Sequence, residues 1–244
     1  MNIRSLLILG LLLTAVLLVA ALPPPPPLQA GTYTIFLPQV SKHHPLQELS
    51  GNLLPNPSFE EGWYHHNGAP ELQIPEQWRF AYEEGDNPLD PAEWNDWVRP
   101  ESRVLPSAFL PEHEHELFIW EGDQTVKIFK GWGSISFELV ADVWLEPGMY
   151  LLEISFYPDL VTEYDNGQKV FAPDPYSGEF RFIVGDRHYP WWLPEFGAKN
   201  TLYRLFTIEE SGWVAVGAGM RGRWAILNNG WFMDNWRLVR VGSG

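Results

Sequence analysis

Residues 134–157, SISFELVADVWLEPGMYLLEISFY, decide the fold class. Ile135, Phe137, Leu139, Ala141 and Val143 fall on one side of a period-two pattern, and Ser136, Glu138 and Asp142 on the other. That alternation is the mark of a half-buried β-strand. Glu146, Pro147 and Gly148 supply turn chemistry. The run that follows places Tyr150, Leu152, Ile154 and Phe156 together. The stretch predicts an antiparallel hairpin with one buried face.

The pattern continues outward in both directions. Phe180, Phe182 and Val184 alternate with Glu179, Arg181 and Ile183, and residues 201–208, 213–220 and 231–241 read the same way. Upstream, strands are expected at residues 52–60, 77–84, 117–120 and 125–130. About ten short strands without an amphipathic helix imply an all-β sandwich or barrel. Residues 85–100 and 158–175 read as long loops, the places on a rigid sandwich where ligand contacts concentrate.

Composition bounds the functions open to such a fold. The 244 residues carry a formal net charge of −15, which disfavours nucleic acid and anionic membrane surfaces as partners. No cysteine is present, so stability rests on packing, hydrogen bonds or a metal. Thirteen Trp are more than a core readily places, because each indole N–H needs an acceptor when buried. Some of those rings are expected at the surface.

The first residues read as a targeting segment. Arg4 precedes an apolar run from Leu6 to Leu22, and Val19 and Ala21 offer a small-x-small cleavage site. The run is either a cleaved signal peptide or an N-terminal membrane anchor helix, and both imply a secreted or cell-surface protein. Pro23 to Pro27 begin a stiff linker, residues 23–50. Within it, Ile35 to Lys42 resembles a short YLPLV-x-K signature that follows the signal in many secreted bacterial proteins. The sandwich is expected from residue 51 to 244.

Motifs in that domain carry a family resemblance. Residues 52–63, NLLPNPSFEEGW, resemble the N-L-(I/L)-x-N-(G/P)-x-F-E-x-G opening of carbohydrate-binding modules of the jelly-roll, galactose-binding-like type. Residues 74–78 (IPEQW), 122–128 (GDQTVKI), 145–152 (LEPGMYLL) and 232–238 (FMDNWRL) resemble the family's later motifs, in the family's order. The resemblance implies a two-sheet jelly-roll β-sandwich. It also implies a structural Ca²⁺ held by Glu60 and Asp234, with Asp123 as a third candidate. Ca²⁺ prefers six to eight hard oxygens and tolerates irregular geometry, which suits strand-end carboxylates.

Sugar recognition pairs an aromatic face, which covers the C–H face of a pyranose, with polar side chains for the hydroxyls. Trp132, Tyr176, Trp191, Trp192, Trp224 and Trp231 are the candidate platforms. His113 and His115 could form half of a zinc site on a strand, though the acidic stretch around them reads as a solvated turn. No nucleophile elbow, zinc-protease helix or phosphate loop is present. A two-carboxylate hydrolase would draw on Glu83, Glu84, Asp86, Asp96 or Glu101. The expectation is therefore a non-catalytic module that binds carbohydrate, with a structural jelly roll of the cell envelope and a glycoside hydrolase as alternatives.

Overall fold

The computed structural model describes residues 46–90 and 92–243. The apolar leader, the proline run and His43–His44 lie outside the described residues. In chain order the strands are β1 (Leu46–Glu48), β2 (Trp63–His65), β3 (Gln73–Pro75), β4 (Trp78–Tyr82), β5 (Glu101–Pro106), β6 (Gln124–Lys130), β7 (Ile135–Leu145), β8 (Gly148–Asp165), β9 (Gln168–Phe171), β10 (Gly178–Val184), β11 (Arg187–His188), β12 (Asn200–Ile208), β13 (Gly212–Gly222), β14 (Asn228–Met233) and β15 (Arg237–Ser243). They build a two-sheet jelly-roll sandwich. One sheet runs β11-β10-β13-β7-β4, all antiparallel. The other runs β1-β15-β8-β14-β6-β5, with β12 and β9 also paired to β8, and β2 and β3 form a small separate ribbon.

The expected hairpin of residues 134–157 is not formed. β7 pairs with β13 and β4, whereas β8 belongs to the other sheet. The turn Glu146–Gly148 carries the chain across the core. Alternation demands only that each strand bury one face, and two strands facing each other across a sandwich meet that demand as well as two neighbours do. Phe137, Leu139 and Ala141 from β7 and Leu152, Ile154 and Phe156 from β8 meet in one buried cluster.

β8 also overturns the expected loop at residues 158–175. It runs through Pro158 to Asp165, and Asn166 and Gly167, at φ 48° and 82°, turn it into β9. An Asn-Gly pair with both φ positive is the turn that matches strand twist. Proline is tolerated because backbone N and O of one strand residue point to the same edge. Pro158 O accepts from Gly197 N, so its missing N–H faces the gap between the end of β12 pairing at Phe156 and the start of β9 pairing at Val161.

Three further expectations are corrected. Residues 52–60 are irregular rather than a strand, because Pro55 and Pro57 flank Asn56 at φ 43° and Phe59 adopts φ 63°. Residues 117–120 close a helical turn, α1 (His115–Phe118), instead of a strand. The sandwich also begins before residue 51, since β1 pairs with Val241–Ser243 of β15.

The opening and closing motifs meet in the core. Phe59 and the indoles of Trp78 and Trp236 are fully buried and pack edge to face, with centroids 5.1–5.8 Å apart. Trp78 Nε1 donates to Asn56 O at 3.1 Å and Trp236 Nε1 to Ser155 O at 2.9 Å, so neither N–H is stranded. The Asn52 side chain donates to Trp236 O and accepts from Leu238 N. Trp236→Ala should lower unfolding stability by about 3–5 kcal/mol, the usual cost of deleting a buried aromatic. Urea denaturation followed by far-UV circular dichroism would measure it; a loss below about 1 kcal/mol would show that the closure does not depend on this ring.

Candidate functional site: a charged and aromatic sheet face

The outer face of the five-stranded sheet is set by register. Trp213, Ala215, Gly217, Gly219 and Arg221 of β13 project outward, level with Trp144, Asp142, Val140, Glu138 and Ser136 of β7. On the other side of β13, Arg181 stands level with Gly219, and Glu179 with Arg221. Small residues therefore floor the middle of the face, flanked by long polar side chains. Trp213 and Arg221 stand about 27 Å apart along β13, at about 3.4 Å per residue.

Gly219 lets one side chain cross the sheet. Arg181 reaches from β10 over β13 and donates to Glu138 Oε1 on β7 at 2.5 Å. A Cβ at position 219 would stand 3.0 Å from Arg181 Nε and 3.1 Å from its Cγ, so the arginine lies down because there is no side chain beneath it. One row along, Glu179 Oε2 accepts from Arg221 Nε at 2.7 Å and from Arg223 at 3.0 Å. Glu179 is buried at 5% exposure, and two guanidinium partners compensate its desolvation.

Aromatic rings interleave with these pairs. The Arg221 and Arg181 guanidinium carbons lie 3.9 and 4.4 Å from the Trp191 ring centroid. Arg223 lies 5.2 Å from Tyr176 and 5.6 Å from Trp224. A continuous ladder results, from Tyr176 and Trp224 through Arg223, Glu179, Arg221, Trp191 and Arg181 to Glu138. At the far end Trp213 and Trp144, both exposed, form an edge-to-face pair at 5.8 Å.

Loops at one end of the sandwich extend the ladder. Asn95 Nδ2 and Asn87 Nδ2 both donate to Arg223 O, and Asn95 Oδ1 accepts from Ala225 N. Trp132 N donates to Ile226 O, and Arg223 N to Ser177 O. These bonds lock the loops after β4, β6, β9 and β13 together. Trp94 (73% exposed), Trp132 (71%) and Tyr176 (50%) share that rim.

Of the expected platforms, Trp132, Tyr176 and Trp224 gather at the rim and Trp191 covers the arginines. Trp192 pairs through its backbone with Phe180 at the edge of β10 and remains 38% exposed. Trp231 is a correction: it faces inward from β14, is fully buried, and packs 6.1 Å from Phe156, so it offers no face to a ligand. The exposed rings of Trp94, Trp144 and Trp213, and the charged groups of Arg181, Arg221, Arg223, Glu138 and Glu179, lie on this face or its rim without having been among the expected candidates. Among the suggested catalytic carboxylates, Glu101 is paired with Lys130 at 3.3 Å and Arg103 at 3.5 Å. His113 and His115 sit in helical turns rather than on a strand, and His115 Nε2 bonds to Ser107 O and Leu110 O.

The calcium candidates converge on one turn. Glu60 Oε1 accepts from Asp123 N and Gln124 N, and Asp234 Oδ2 from Trp120 N and Glu121 N. Asp234 is fully buried. Burial pushes its carboxyl up to about 7, opposed by the N–H groups of Trp120, Glu121 and Asn235 and reinforced by the Glu60 charge. Carboxylates that disfavour each other's ionisation are the kind a cation relieves. Most of their lone pairs already meet N–H groups, however, and the Asp123 carboxylate accepts from the Ser107 hydroxyl. Glu60 Oε2 accepts only from Gln124 Nε2 and Asp234 Oδ1 only from Asn235 N, and among the described residues nothing donates to Asp123 Oδ2. Among the described residues no group of three or more His, Asp or Glu is arranged around a common metal position.

Fold and face together define an all-β jelly-roll module with an aromatic, charge-paired sheet surface. No protein-family model matches the chain, and no curated protein matches it. Among solved structures it is similar to carbohydrate-binding modules of β-sandwich type. A family 61 module in complex with β-1,4-galactotriose is 17% identical, with 78% of this chain and 99% of that one covered and a TM-score of 0.41. A family 16 module is 12% identical, with coverages of 78% and 100% and a TM-score of 0.39. The family 22 xylan-binding domain from Paenibacillus barcinonensis is 10% identical, with coverages of 82% and 97% and a TM-score of 0.37.

Asp234 makes stability depend on pH in metal-free protein. An unfolded Asp releases its proton near 3.8, whereas the folded one holds it to about 7. The folded state is the proton-rich one between those values, so this contribution is complete below pH 4 and disappears as pH rises through 7. Thermal melts in chelator should show the melting temperature falling from pH 5 to pH 8. Asp234→Asn should flatten that slope; an equal slope in the variant would assign it elsewhere.

Proposed function

We propose that this chain is an exported, non-catalytic module that binds a carbohydrate chain along the outer face of its five-stranded sheet. The ladder from Tyr176 and Trp224 to Glu138 carries the reading. A sugar chain needs flat apolar surfaces for its C–H faces and fixed donors and acceptors for its hydroxyls. Exposed indoles and phenols supply the first at small entropic cost. The second come from guanidinium and carboxylate groups that ion pairs already hold in place, so little ordering remains to be done on binding. The exposed rings are spread along the face, from Tyr176 at one end to Trp144 and Trp213 at the other, which suits an extended chain better than a small enclosed molecule.

Export is supported by Arg4 and the apolar run from Leu6 to Leu22. Calcium belongs to the same proposal: Glu60 and Asp234 would hold it, and its role would be to clamp the turn between residues 119 and 124 against the closing strand.

Affinity electrophoresis through gels containing soluble plant and bacterial polysaccharides tests the binding. At least one polysaccharide should retard the protein. Tyr176→Ala or Trp132→Ala should weaken that retardation roughly tenfold, equivalent to about 1.4 kcal/mol. Migration unaffected by every polysaccharide would reject carbohydrate binding and favour a structural jelly roll. For calcium, millimolar Ca²⁺ should raise the melting temperature at pH 8 in the parent and not in the Glu60→Ala, Asp234→Ala double variant. A parent indifferent to both calcium and chelator would exclude the clamp.

A further inference from the structure

The opposite sheet carries a second candidate site. On its outer face Lys127 of β6 lies level with Phe232 of β14, which in turn lies level with Tyr157 of β8. Residues 107–120 fold back over this row through short helical turns that end in α1. Phe118 of α1 stacks face to face on Phe232, at 3.7 Å and 6° between planes, with Tyr157 edge-on to Phe118 at 5.0 Å. The three form a small apolar core separate from the main one. Beside it, between the covering segment and the sheet, lies a cavity of about 370 Å³, a size that ligand pockets share.

The charged groups in that cavity differ in how they are engaged. Asp159, 3% exposed, accepts from Lys169 Nζ at 2.8 Å and from Asn228 Nδ2 at 3.0 Å. Glu114 lies 4.0 Å from the same Lys169. Lys127 has no ion pair or hydrogen bond to any described residue. Its ammonium sits 4.8 and 4.9 Å from the ring centroids of Phe129 and Phe232. Burial, the largest cause, draws its pKa below the ordinary lysine value. Cation–π contact offsets part of the lost hydration but accepts none of the three N–H bonds. The cavity therefore holds a partly buried ammonium that is ion-paired to no described residue, with the charges of Asp159 and Glu114 nearby, and that can take an anionic acceptor.

We propose that this cavity binds a hexuronate, a sugar ring bearing one carboxylate, with the carboxylate on Lys127. Among anions the lining favours a single charge, since Asp159 and Glu114, only partly offset by Lys169, disfavour a phosphate dianion more than a carboxylate. The lining also asks for hydroxyl groups, because Glu114, Asn228 and Tyr164 share it with Leu105, Leu110 and Phe118. A hydroxylated ring meets both demands, and a purely aromatic acid meets only the apolar one. This site uses no residue of the opposite sheet's ladder, so the two sites stand or fall separately.

The test is calorimetric titration of the full chain with the methyl glycosides of glucuronate and galacturonate, against methyl glucoside and methyl galactoside. At least one uronoside should bind about tenfold or more tightly than its neutral counterpart. Lys127→Met, which keeps the apolar stem out to Cε and removes the ammonium, should abolish the preference; Lys127→Arg should retain it; Tyr176→Ala should leave it untouched. Absence of a preference for either uronoside, or an unchanged preference in Lys127→Met, overturns the proposal. If Lys127→Met does not fold, ¹³C-methylated lysines in the unsubstituted chain decide the matter. The Lys127 resonance must shift on adding uronoside, and a shift confined to other lysines refutes the site.

Discussion

Trp236 fixes where the two ends of the domain meet, and the sheet geometry depends on that junction. β14 and β15 follow each other along one edge of β8, separated by a break at residues 234–236. At the break the Trp236 indole donates to Ser155 O on β8 and its ring packs against Phe59 and Trp78. Asn235 takes φ 53° to make the bend, and Asp234 ties the bend to the 119–124 turn. The opening segment thus has no strand of its own, and proline-flanked irregular backbone delivers Phe59 into the core. β8, hydrogen-bonded on both edges along most of its length, then supplies the rigid layer behind which the second sheet can hold a flat outer face.

That face has an electrostatic character unlike the rest of the molecule. The chain is strongly acidic, yet Arg79, Arg181, Arg221 and Arg223 gather on or beside one sheet, and each meets a carboxylate. The region is rich in charge and close to neutral. A surface of that kind offers many directed hydrogen bonds without a long-range field, which suits an uncharged polar ligand better than a nucleic acid or a membrane. The opposite cavity follows another logic, with its carboxylates engaged and one ammonium without an acceptor.

The alternation of Ile135 to Val143 and of Phe180 to Val184 reported the strands and their buried faces, because burial of one face is a local property of the sequence. Which strand lies beside which is not local, and the turn at Pro147 and Gly148 serves an arch between sheets as well as a hairpin. Pro158 masked half of β8 for a similar reason: its cost vanishes only because β12 has ended and β9 has not begun. At the candidate face, tryptophan content flagged surface rings, but the pattern could not tell Trp231, inward on β14, from Trp132 on its loop. Arg181 and Glu179 were legible as outward positions of their strand, whereas Arg221 lies one residue past the expected run 213–220. Their pairing across Gly219 was not, since it depends on β13 lying between β10 and β7.

The five-stranded sheet ends in β11, which is only two residues long. Arg187 and His188 are exposed there, and Pro190 follows after the buried Tyr189. A longer apolar strand at that margin would present a row of open backbone groups for another chain to extend. A short, basic margin closed by proline gives an incoming strand little to register on and repels a like margin on a neighbouring copy. Many copies crowded on one surface would therefore tend not to zip together along this edge, and the charged and aromatic face beside it would stay uncovered.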